Sequence, residues 1–160
     1  MTDATYSNVL VPTDGSDLAE RALEEALRIA GLTDATIHVL FVVDDAKIAE
    51  LASECGTDTV TFDADVDSLF ERFVATGTHA LEDLRDAAAE HGVAVTAGIR
   101  KGLPRDEILA YAEENGNDLI VMGTHGRRGL ERYVLGSTTE SVLRRSPVPV
   151  LVVRRGANDD

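Results

Sequence analysis

Four short aliphatic runs, NVLVP (8–12), TIHVLFVV (36–43), DLIVMG (118–123) and VPVLVVR (148–154), do most to limit how this chain can fold. They are rich in Val, Ile and Leu with few alternating polar residues, the pattern of strands covered on both faces, as in a parallel sheet. A weaker alternating run, VAVTAGI, covers 93–99. Helical patterns lie between the runs. Residues 17–30 carry Ala19, Ala22, Leu23, Ala26 and Ala30 at helical spacing, with Asp17 and Glu20 placed to form a cap-and-return pair. Residues 67–91 hold Leu69, Phe70, Phe73, Val74, Leu81, Leu84 and Ala88, closed by His91-Gly92. Pro104 opens a third helix with Ile108, Leu109 and Ala112 inward and Gly116 at its end; a fourth spans Ser137 to Arg145 and stops before Pro147. The alternation predicts an open, doubly wound parallel α/β sheet with right-handed crossovers and helices on both faces. The acidic connection 44–67 interrupts it, and is expected to be a short helix over 46–54 followed by a mobile loop.

At 160 residues the chain is expected to form one domain, 1–160, with a real core. An apolar content of 44% excludes a disordered chain, and no run approaches the ~20 apolar residues of a membrane span. The start, MTDATYSNVL, lacks the basic and apolar regions of a signal peptide, so the expectation is a cytoplasmic protein. The single cysteine, Cys55, excludes a disulfide framework within the chain and a cysteine-built metal site. Charge is the unusual property: 29 acidic against 15 basic residues, net −14, with Lys47 and Lys101 the only lysines. Such a surface repels nucleic acid and anionic membrane, so neither is expected as a partner. It would repel a polyphosphate too, except in a saline cytoplasm, where the Debye length shrinks to about 3 Å at 1 M salt. An acidic, lysine-poor surface is the one expected of a halophilic protein.

In doubly wound sheets, ligands bind beyond the carboxyl ends of the strands, where the crossover direction changes. The segments arriving there are PTDGS after the first strand, VVDD after the second and GTHGRRGLERYVLGST after the fourth. Asp14 is placed either to accept from an adenine amine or ribose hydroxyl, or to cap the first helix. Gly123 and Gly126 let the backbone approach a ligand and expose its N–H groups. Gly136, followed by Ser137, Thr138 and Thr139, introduces a helix N-terminus, where free N–H groups and the dipole favour anions. Arg127 and Arg128 supply local positive charge or are simply solvated, and His125 lies within the same loop. His38, His79 and His91 read as structural or surface histidines. There is no GxxxxGK[ST], no GxGxxG after the first strand, no readable nucleophile–base pair and no metal-cage spacing.

VLVPTDGSDLAERAL (9–23) together with VMGTHGRRGLERYVLGSTTESVLRRSPVPVLVVR (121–154) closely resembles the universal stress protein (UspA-like) family over nearly the whole chain. The family's ATP-binding branch carries G-x2-G-x9-G-[ST], met by Gly123, Gly126, Gly136 and Ser137; a branch without the pattern does not bind ATP. The resemblance implies that Pro12 and Asp14 meet the adenosine end and that Val42 offers its backbone to the adenine edge. Met122, Gly123 and Gly126 would line the ribose and first phosphates. Gly136, Ser137 and Thr138 would hold the outer phosphates, with Mg²⁺ or Mn²⁺ alongside. Thr138 departs from the family, where an apolar residue is common, as does the long acidic connection. The family pairs through its last strand, and VPVLVV would be an exposed apolar edge unless covered, which favours an isologous homodimer through 148–154.

Together these readings give a five-stranded sheet of order 3-2-1-4-5 in an ATP-binding, homodimeric, nucleotide-gated stress-response protein. Two alternatives remain. One is a slow ATPase of the same architecture, with Asp14 and His125 as candidate bases; PTDGSD lacks the first glycine of the SGGxDS loop of ATP pyrophosphatases. The other is a dimerising module that binds no nucleotide.

Overall fold

The computed structural model describes residues 6–55, 62–124 and 135–155. Five strands, β1 (Asn8–Thr13), β2 (Thr36–Asp44), β3 (Val95–Gly102), β4 (Leu119–Gly123) and β5 (Val150–Val153), alternate with helices α1 (Asp17–Thr33), α2 (Asp45–Cys55), α3 (Phe62–Glu90), α4 (Pro104–Glu114) and α5 (Ser137–Arg145). All strand pairs are parallel, and their order is β3-β2-β1-β4-β5, as expected. The first three aliphatic runs become strands covered on both faces, whereas β5, from the fourth, leaves Leu151 exposed and Val150, Val152 and Val153 half-buried. Val9, Val11, Ile37, Val39, Phe41 and Val121 pack with α1 and α3. Leu10, Leu40, Ile120 and Met122 pack with Ile108, Tyr111 and Ala112 of α4 and Val142 of α5. The five small or aliphatic positions read as the inward face of α1 are all buried.

Local chemistry sets most of the element ends. Pro104 stands in the first turn of α4. After α3, Gly92 takes φ +69, where a side chain is disfavoured. The cap of α1 differs from expectation: Ser16, not Asp17, is the N-cap, its hydroxyl accepting from Ala19 N at 3.3 Å. Gly15, at φ +75, turns the chain one residue before it. Strand β3 starts two residues later than the alternating run and reaches Gly102, because β2 continues to pair with it through Val43↔Lys101 and Asp44↔Gly102. The acidic connection is more helical than expected. Helix α2 is anchored at its start by Asp44, whose Oδ1 accepts from Ala46 N at 3.0 Å. Helix α3 begins at Phe62 rather than 67, since FDADV holds neither glycine nor proline to delay it.

Candidate functional site: the carboxyl ends of the strands

The crossover direction reverses between β1 and β4. Their ladder is short, Val9↔Leu119 and Leu10↔Ile120, although β1 continues to Thr13 and β4 to Gly123. On its other side β1 stays paired with β2 as far as Thr13↔Phe41. A crevice at this switch point is where an open parallel sheet binds ligands.

Most of the residues singled out in the sequence meet at this end. Pro12 and Asp14 are half-buried at the end of β1, and Val42 is half-buried near the end of β2. Met122 is buried, and Gly123 closes β4. Gly136, Ser137 and Thr138 start α5. Gly126 lies outside the described residues, as do His125, Arg127 and Arg128. Asp14 does not cap α1: its Oδ1 accepts from Ser16 N at 3.0 Å, while Thr13 Oγ1 accepts from Gly15 N at 3.1 Å. These two turns hold the β1–α1 junction in shape, with the carboxylate at the strand end.

Two hydrogen bonds tie the start of α5 to the end of β4, and a third ties the end of β4 to β5. Gly136 N donates to Thr124 O at 2.7 Å, Thr124 N donates to Val153 O at 3.0 Å, and Thr139 Oγ1 donates to Gly123 O at 2.8 Å. The start of α5 therefore lies against the carboxyl end of β4. Gly136 is the N-cap, and no side chain caps the helix. Its own N–H is taken by Thr124, and the N–H groups of Ser137, Thr138 and Thr139 have no acceptor within the helix. With φ −60 and ψ 149, Gly136 adopts an extended conformation open to any residue. The backbone therefore does not require glycine there, and Ser, Asp or Asn would cap the helix better. Glycine adds no side chain of its own beside the donors at the positive end of the helix dipole.

Away from this site, groups with displaced proton affinity lie along β2, β3 and α4. Burial lowers the pKa of His38 and raises that of Tyr111. A hydrogen bond between Arg100 and Glu114 raises the first and lowers the second. Thr124 carries no sequence signal, and Thr139 is marked in sequence only as one of the hydroxyl residues opening the helix. Both are buried polar residues, and their roles come from contacts with distant strands that no local pattern announces.

An open, doubly wound parallel sheet of this order, with an uncapped helix N-terminus at its switch point, defines a Rossmann-like α/β protein. The universal stress protein family profile matches residues 5–154. Universal stress protein MJ0531 of Methanocaldococcus jannaschii is 36% identical over 94% of this chain and 83% of its own. The solved structure of MJ0577, a universal stress protein of the same organism, is 31% identical with a TM-score of 0.80, covering 95% of this chain and 98% of that one. A universal stress protein solved in complex with cAMP is 26% identical with a TM-score of 0.66, covering 93% and 97%. The chain belongs to the universal stress protein family.

Proposed function

We propose that residues 1–160 form one nucleotide-binding unit that takes an adenine nucleotide, ATP in the first instance, at the switch point. The observation that carries this reading is the glycine at the N-cap of α5, used where the backbone does not need it and leaving the helix uncapped. A similar family member binds cAMP, which has the same base and a phosphate. The outer phosphates would accept from the N–H groups of Ser137, Thr138 and Thr139. The ribose and first phosphates would lie against Met122, Gly123 and Gly126. Pro12, Asp14 and the backbone of Val42 would face the adenosine. Among the described residues no group of three His, Cys, Asp or Glu side chains could hold a metal ion. A Mg²⁺ or Mn²⁺ ion would travel with the phosphates.

The protein would act as a homodimer through β5. Among the described residues this strand pairs only with β4, and Leu151 on it is exposed, as is Leu143 of α5. An apolar edge of this kind invites a second copy. Nucleotide would shift the population of surfaces shown to a partner in the stress response, by no more than its differential affinity for the two states. Among the described residues no helix is long and apolar enough to cross a membrane.

The test is thermal unfolding with and without Mg·ATP in about 2 M KCl, which screens the acidic surface. At ~100-fold excess over Kd, ATP stabilises by about 2.7 kcal/mol, a rise of roughly 5–10 °C for a chain of this size. An unchanged melting point in folded protein would refute the reading. Light scattering of Leu151→Lys checks the assembly: monomer is expected, and an unaltered dimer would move the interface elsewhere.

A further inference from the structure

Helical threonines in this chain usually bond within their own helix. Thr33, Thr76 and Thr78 donate to the carbonyls of Ile29, Arg72 and Val74, each one turn back. Thr139 does not. Its hydroxyl leaves α5 and donates at 2.8 Å to the carbonyl of Gly123, the last residue of β4. The side chain is only 3% exposed, so the bond is made away from water, where an unmet carbonyl is costly. It fixes the Gly123–Thr124 peptide, the same unit whose N–H donates to Val153 O and which is followed by the carbonyl that accepts from Gly136 N.

From this we infer that Thr139 is a positioning residue for the phosphate end of the nucleotide site. It sets the distance and angle between the strand end, where the first phosphates would lie, and the N–H groups of α5, where the last ones would. This inference rests on the nucleotide reading above. Thr139 also offers its own backbone N–H, but that group survives any side-chain substitution; the role assigned here belongs to the hydroxyl alone. A loosened clamp lets the two halves of the cradle drift apart. A ligand that spans both halves loses affinity, and one that touches only the adenosine end does not.

The test compares Thr139→Val, which keeps shape and removes the hydroxyl, with Thr139→Ser, which keeps the hydroxyl. Thr139→Ala serves the same arm if valine disturbs the fold. Titration calorimetry with Mg·ATP and with adenosine is the readout, alongside amide exchange at Gly136 in the absence of ligand. The expected result is about tenfold weaker ATP binding by the valine variant, adenosine binding changed less than about twofold, and faster exchange at Gly136. Serine should restore ATP affinity. If wild type binds ATP but valine weakens ATP and adenosine alike, or neither, the positioning role is wrong and the nucleotide site stands. If wild type binds no ATP, the nucleotide reading fails and the role of Thr139 fails with it.

Discussion

A methyl group added at Gly77 tests how α3 is seated over the sheet. An ideal Cβ there would lie 2.4, 2.8 and 2.9 Å from Cδ1, Cε1 and Cγ of Phe41. Ordinary carbon contacts begin near 3.5 Å, so ring or helix must retreat by about 1 Å. The ring has little room: Phe41 is 7% exposed, and its backbone is paired with Thr13 on one side and Ile99 on the other. Overpacking of this kind costs about 1–3 kcal/mol. Against it stands the helix propensity gained on replacing glycine by alanine, about 1 kcal/mol. Gly77→Ala should therefore destabilise by about 1 kcal/mol. Gly31, inside α1, has nothing within 4 Å of its ideal Cβ and no left-handed backbone. Gly31→Ala should collect the propensity gain alone, about 1 kcal/mol of stabilisation. The difference between the two variants removes the shared propensity effect and isolates the clash. Urea unfolding followed by circular dichroism at fixed pH and salt measures both. Phe41→Leu in the Gly77→Ala background should recover part of the loss, with a coupling energy above about 0.5 kcal/mol. If Gly77→Ala is as stable as Gly31→Ala, α3 is not packed against Phe41 as described.

Three further outcomes are expected. His38 is buried, with Nδ1 3.3 Å from the Tyr111 hydroxyl and Nε2 3.3 Å from Asn8 Oδ1, and burial lowers its pKa. The unfolded chain thus binds the proton first as pH falls: the contribution of His38 is complete above the unfolded value of about 6.5 and is lost progressively below it. Urea midpoints should fall more between pH 7.5 and 5.5 in wild type than in His38→Gln; equal slopes would refute the assignment. Asn117 buries both Nδ2 and Oδ1 without a hydrogen-bond partner, a cost of about 1–3 kcal/mol. Asn117→Ala should raise stability by about 1 kcal/mol after the small cavity it leaves, and a lower urea midpoint would contradict this. The net charge of −14 should make the protein more stable in about 2 M KCl than in about 0.1 M, read as a higher melting point, because salt screens repulsion across the acidic surface.

The parallel sheet was readable because the interior of β1, β2 and β4 is apolar on both faces, which leaves Val9–Val11 and Leu119–Met122 almost free of polar interruptions. The edge strand β3 was blurred at both ends, since most of its residues are exposed or half-buried and little distinguishes Val93 from Lys101 in sequence. The α1 cap was misread by one residue because Asp17 and Ser16 both have capping chemistry, and only the left-handed turn at Gly15 decides between them. Toward the proposed site, strand ends and glycines mark Asp14, Gly123, Gly136, Ser137 and Thr138, while Pro12, Val42 and Met122 are pointed to by the family resemblance. The role of Thr139 was not legible. Its significance lies in a bond to Gly123, sixteen residues earlier, that no local pattern announces.

The most direct measurement of the central claim is the change in backbone amide NMR signals on adding Mg·ATP to labelled protein in high salt. The account predicts the largest shifts at Ser137, Thr138 and Thr139, with a second group at Val42 and Asp14, and little change at Gly31 in α1. Shifts absent from the start of α5, or spread evenly over the acidic surface, would contradict a phosphate cradle at this helix.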